Sequence, residues 1–160
     1  MYAFAPDRSL PKPELYRELT ESARALVAGE SDGVANMANL SALIWQYVDW
    51  LNWAGFYRVI ADELVLGPFQ GRAACIRIPL GKGVCGAAAA SGMTQLVPDV
   101  HAFPGHIACD AASRSELVVP VIRQDRVIAV IDLDSPEPAR FDAEDAAGME
   151  LLAKAIAAAI

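Results

Sequence analysis

Three cysteines, Cys75, Cys85 and Cys109, are the residues best suited to chemistry, and two histidines, His101 and His106, precede the last of them. No pair is spaced as CxxC, so a zinc knuckle is poorly supported and a mixed Cys/His metal site is the weaker alternative. Cys109 stands in the polar stretch His106-Ile107-Ala108-Cys109-Asp110. A thiol works as a nucleophile only as thiolate, which needs partial exposure and nearby donors. His106 is the local candidate donor, or else a plain loop residue. Cys85 opens a short helix whose N-terminal dipole would lower its pKa. Cys75 alternates with Ala74 and Ile76 in a strand and by itself reads as core filler. The expectation is that Cys109 is a working redox thiol.

A second set is acidic. In Val130-Ile131-Asp132-Leu133-Asp134 the aspartates are two apart and share one strand face with Val130. Carboxylates in an otherwise apolar strand are costly unless solvated, paired or used. Glu116 begins the neighbouring strand and can join them. Three converging acids would raise at least one pKa, giving a proton donor near neutrality, and they could bind a substrate ammonium group. The alternative is that Asp132 and Asp134 face water near a strand end. Trp53 could form an aromatic wall, or simply be core.

These residues need elements to hold them. Leu15, Leu19, Ser22 and Leu26 repeat at helical spacing after Pro-Lys-Pro, and Gly29 can end that helix. Ser31 or Asp32 caps a second helix with Met37, Leu40, Ile44 and Tyr47 on one face. Strands are predicted over 53–60 and 63–67, joined by a turn at Asp62, and over 74–79. The glycine-rich run 81–86 leads into a short helix. It matches GxGxxG in spacing, but no βαβ unit surrounds it, so a dinucleotide site is discounted. A brief strand falls near 95–97. Residues 98–115 form the longest stretch without periodicity, the kind of loop that often carries function. Strands over 116–122 and 127–134 pair across Gln124-Asp125. Asp142 caps a last helix marked by Met149, Leu152, Ile156 and Ile160. Helices, then an antiparallel sheet, then a packing helix indicate a single α+β domain over 1–160.

Composition sets limits. The formal charge of −7, with no Lys/Arg cluster, argues against nucleic-acid or anionic-membrane partners. Apolar runs are far shorter than the roughly 20 residues that span a bilayer. The first residues lack a secretory pattern, so a cytoplasmic protein is expected, and three cysteines do not read as a disulfide scaffold.

Five segments then carry a resemblance: 67–71 (Gly-Pro-Phe-Gln-Gly), 74–76, 83–86, 106–110 and 113–116. Together with 52–57 and 132–135 they resemble the free methionine-(R)-sulfoxide reductases, stand-alone GAF-domain enzymes. The resemblance implies an antiparallel sheet of about six strands, with N- and C-terminal helices on one face and a ligand pocket on the other. It implies that Cys109 attacks the sulfoxide sulfur of free methionine-(R)-sulfoxide while an acid protonates the oxygen. Cys109 then becomes a sulfenic acid, and a second cysteine closes a disulfide that thioredoxin reduces. It matches Glu116, Asp132 and Asp134 to substrate binding and protonation, and Trp53 to the wall on the substrate methyl. For the resolving thiol it suggests Cys75, with Cys85 as the alternative. No cofactor or metal is expected. Trp45 and Trp50 would supply a homodimer surface, or pack in the core. The rival reading is a GAF domain that senses a small molecule without turning it over.

Overall fold

The computed structural model describes residues 4–105, 107 and 110–160; Cys109, His106 and Ala108 lie outside the described residues. Helix α1 (Lys12–Val27) starts with prolines at its first positions, where a missing N–H costs nothing, and Gly29 follows its end at φ +83°. Helix α2 (Gly33–Tyr47) is capped by Asp32, not Ser31: the Asp32 carboxylate accepts from the Val34 and Ala35 amides at 2.8 and 3.0 Å.

Strands β1 (Trp53–Ile60) and β2 (Glu63–Gly71) form the expected hairpin. Its two-residue turn places Ala61 and Asp62 both at positive φ, the geometry that matches strand twist. β2 runs four residues beyond the expected end, through Pro68, because a bulge between Gly55 and Tyr57 absorbs the proline. Strand β3 is only Arg77–Pro79. The segment carrying Cys75 is therefore not a strand, and Ile76 is 70% exposed rather than core. Helix α3 (Gly83–Ser91) and strand β4 (Gln95–Val97) follow. A Cβ on Gly86 would lie 2.5 Å from the Pro79 carbonyl oxygen, so the glycine run serves the close seating of α3 on β3.

Part of the aperiodic stretch is a 3-10 turn at Val100–Ala102. Strands β5 (Ser115–Arg123) and β6 (Arg126–Ser135) pair across Gln124 and Asp125, again both at positive φ. Helix α4 (Ala143–Ile156) carries a reciprocal capping box between Asp142 and Asp145, and Ile160 lies beyond its end.

The six strands form one antiparallel sheet in the order β3-β2-β1-β6-β5-β4. Alternation divides its residues between two apolar cores. Ala54, Phe56, Leu117, Val119, Ile131 and Leu133 pack under α1, α2 and α4. Trp53, Tyr57, Val118 and Val130 face α3 on the other side. No helix among the described residues is long and apolar enough to cross a membrane. Trp45 and Trp50 are outside both cores, with Trp50 69% exposed at φ +63°, so core packing does not account for them.

Candidate active site

The acidic set is built by register. β5 and β6 place Glu116 opposite Asp134 and Val118 opposite Asp132, while β1 places Trp53 opposite Asp134 and Gly55 opposite Asp132. Of these residues Trp53, Glu116, Asp132 and Asp134 line one pocket, together with Tyr57, Lys82, Cys85 and Ser113. The solvent-facing alternative for the aspartates does not hold: Asp132 is 5% exposed, Glu116 6%, and Asp134 is half-buried.

Burial sets their proton affinity. Glu116 is pushed well above the usual carboxyl range, first by loss of solvent and then by the charges of Asp132 and Asp134. Asp134 is pushed up by burial and by Asp132, against a stabilising hydrogen bond from Ser113. Asp132 rises to about 6 by burial, held back by hydrogen bonds from Cys85 and Glu116. Asp132 is thus the carboxyl that ionises first, and Glu116 carries a proton that it shares with it. One Asp132 oxygen, Oδ1, is buried with no hydrogen-bond partner among the described residues.

Cys85 corrects an expectation. It sits in the first turn of α3, but burial and the charges of Asp132 and Glu116 push its thiol up, overriding the helix dipole. Its Sγ lies 3.9 Å from Glu116 Oε1, and thiol and carboxylate atoms of Cys85, Glu116 and Asp132 fall within 4.8 Å of one another. A thiol with two carboxylates is a donor set zinc accepts when the sulfur is deprotonated. With its proton retained, Cys85 instead belongs to the proton-sharing set.

Cys75 is disulfide-bonded, whereas Cys85 is a free thiol. Two aromatic donors hold the segment before and at Cys75: Trp53 Nε1 donates to the Arg72 carbonyl at 3.1 Å, and Tyr57 Oη donates to the Cys75 carbonyl at 2.9 Å. Trp53 is stacked between Phe69 (5.1 Å, 14°) and Tyr57 (5.8 Å, 22°). A Cβ on Gly55 would fall 2.4 Å from Phe69 Cβ, so the glycine lets Phe69 close on the indole. Tyr57 had no role assigned from sequence; its four-residue offset from Trp53, which keeps both on one face of the strand, was the available signal.

The residues match the GAF domain family model over 37–160. Over 141 residues, 88% of this chain and 86% of the relative, the chain is 50% identical to the free methionine-R-sulfoxide reductase of Escherichia coli. It is 47% identical to the enzyme of that name from Saccharomyces cerevisiae, covering 92% and 87%. The X-ray structure of the free methionine-R-sulfoxide reductase of Neisseria meningitidis in complex with its substrate superposes with a TM-score of 0.93. It is 48% identical and covers 98% of this chain and 94% of that one.

Proposed function

The chain belongs to the free methionine-R-sulfoxide reductases, GAF-domain enzymes, and on that premise we propose which of its residues carry the reaction. The reaction is thiol-dependent reduction of free L-methionine-(R)-S-oxide to L-methionine. In the proposed sequence the Cys109 thiolate attacks the sulfoxide sulfur as a proton passes to the sulfoxide oxygen. The S–O bond breaks and methionine leaves as the thioether. Two electrons have moved from Cys109 to the substrate sulfur, and Cys109 holds the oxygen as a sulfenic acid. The Cys75 thiol then displaces water from that sulfenic acid and closes a disulfide. A dithiol reductant, thioredoxin, reopens it by exchange in the cytoplasm.

The choice of Cys75 as resolving thiol is supported by its disulfide and by the free thiol of Cys85. Glu116 is the proton source, because burial and its acidic neighbours raise its proton affinity well above that of an ordinary carboxyl. Asp132 and Asp134 take the substrate ammonium, which restores the solvation their burial removed. Trp53 packs on the substrate methyl. The observation that carries this reading is the convergence of three carboxyls from two neighbouring strands on a pocket walled by Trp53 and Tyr57. An amino acid's ammonium fits such a set, whereas a peptide nitrogen carries no charge to offer it.

The test is NADPH consumption with thioredoxin, thioredoxin reductase and free methionine-(R)-sulfoxide. Turnover is expected with the free substrate and not with a peptide-bound one. Unchanged NADPH with the free substrate would favour a GAF domain that binds without turning over. Cys109→Ser is expected to abolish methionine release. Cys75→Ser should release one round of methionine and block recycling; normal cycling there, with failure in Cys85→Ser, would reassign the resolving role.

A further inference from the structure

Asn52 lies just before β1 and outside the set of pocket-lining side chains, yet its polar groups reach three parts of the site. Its backbone N–H donates to the Asp134 carbonyl at 3.0 Å, fixing it at the end of the β1–β6 ladder. Its side-chain Nδ2 donates to Asp110 Oδ2 at 3.2 Å and to Ser113 Oγ at 3.0 Å. Asp110 directly follows Cys109 in sequence, and Asp110 Oδ1 in turn accepts from the Ala112 amide at 2.9 Å. The segment after Cys109 is therefore tied to the sheet by one amide group at two points.

The second tie has a chemical consequence. A serine hydroxyl has one proton to give. Because Ser113 Oγ accepts from Asn52, its own O–H is free to turn toward the Asp134 carboxylate, which lines the same pocket and whose pKa Ser113 holds down. Ser113 is buried, so bulk solvent competes little for its hydroxyl. The series Asn52 Nδ2–H to Ser113 O–H to Asp134 is directional, and Asn52 sets the direction. A residue needed only to fill space or end a strand would not require an amide donor at this position.

We propose that Asn52 is a positioning residue of the reaction, tying Asp110 and Ser113, in the segment that follows Cys109 in sequence, to the sheet end beside the acid cluster and orienting the Ser113 hydroxyl toward Asp134. The proposal rests on Cys109 as the attacking thiol, and the two fail separately. Loss of methionine release in Cys109→Ser tests the nucleophile, and Asn52 variants test the positioning.

The measurement is single-turnover methionine release by the pre-reduced protein, without reductant, across free sulfoxide concentration. In Asn52→Ala the plateau rate is expected to fall by about tenfold or more, with half-saturation moving by less than about threefold. Asn52→Asp is the diagnostic variant, since a carboxyl of nearly the same shape donates only when protonated. Asp110 faces it, with Arg72 reaching Asp110 at 4.0 Å, and Asp134 is its partner along the backbone; a carboxylate placed against Asp110 has its pKa raised. Its rate relative to the unaltered protein is expected to recover from about pH 7.5 to about pH 5.5, while the Asn52→Ala ratio stays flat. Ser113→Ala provides a check that leaves Asn52 in place: combined with Asn52→Ala, it should cost less than the product of the two single losses. An unchanged plateau in Asn52→Ala overturns the proposal, as does a change confined to half-saturation. Parallel pH ratios for Asn52→Asp and Asn52→Ala would reduce Asn52 to a structural residue and also overturn it.

Discussion

Two acidic clusters are held in this fold by opposite means. In the helical layer Asp145 is 1% exposed and well partnered: Tyr16 Oη donates at 2.9 Å, Lys12 Nζ at 2.8 Å, Arg140 at 3.3 Å and the Asp142 amide at 2.9 Å. A Cβ on Gly148 would fall 2.2 Å from Tyr16 Cγ, so α1 and α4 close tightly around that carboxylate. On the pocket face Glu116, Asp132 and Asp134 lie with Cys85 and Ser113 beside them, and Asp132 Oδ1 has no hydrogen-bond partner among the described residues. The first cluster is compensated within the protein. In the proposed reading the second is left for a cationic ligand to compensate, and burial meanwhile raises its members' proton affinity. Burial alone does not distinguish structural from functional carboxylates; the presence of cations and donors does.

Substitutions should separate the two clusters. The largest expected effect is Glu116→Gln, which removes the proposed proton source and should lower turnover by about 100-fold. It also relieves acid crowding, so the thermal midpoint by calorimetry should hold or rise. A midpoint that falls as far as that of an Asp145 variant would erase the distinction. Asp145→Ala removes one carboxylate partner each from Lys12, Arg140 and Tyr16 and breaks the capping box; chemical denaturation should show a loss of about 2 to 3 kcal/mol. Its single-turnover rate, corrected for folded protein, should be unchanged.

Smaller effects appear in the pH dependence of stability, with opposite signs. Asp132, raised from 3.8 to about 6, keeps a proton in the fold that the unfolded chain releases. Its contribution is therefore present below about pH 4 and lost as pH rises toward about 6. Asp132→Asn should flatten that decline. Asp142, lowered from 3.8 to about 2 chiefly by its hydrogen bond from Lys12, contributes above its unfolded value and loses that contribution as pH falls toward about 2. Lys12→Met should flatten that acid limb. At neutral pH, where Asp145 also loses a partner, the substitution should cost only about 1 kcal/mol, since Lys12 is partly exposed. Equal slopes in the two windows would contradict the contrast between the clusters.

Much of this arrangement was legible in the chain. The period-2 pattern of 130–134 gave the shared face of Asp132 and Asp134, and the Gln124-Asp125 turn gave the neighbour, Glu116. Caps at Asp32 and Asp142 were local and readable. Pro68 was misleading, because a proline reads as a break unless a bulge absorbs it, and the bulge depends on the paired strand. The Cys75 segment read as a strand because its composition is apolar, while its actual constraints are side-chain donors from Trp53 and Tyr57. Cys85 misled for a similar reason: its helix position is local, but the acids that raise its pKa come from β5 and β6. The Asn52–Ser113 bond links residues 61 apart, beyond any periodicity.

The most direct measurement is a disulfide map after a single turnover. The reduced protein is treated with one equivalent of free methionine-(R)-sulfoxide, alkylated, digested and analysed by mass spectrometry alongside released methionine. One methionine per chain, a Cys75–Cys109 linkage and an alkylated Cys85 are expected. Methionine release with Cys85 in the disulfide, or with Cys109 still alkylatable, would contradict the assignment of the thiols.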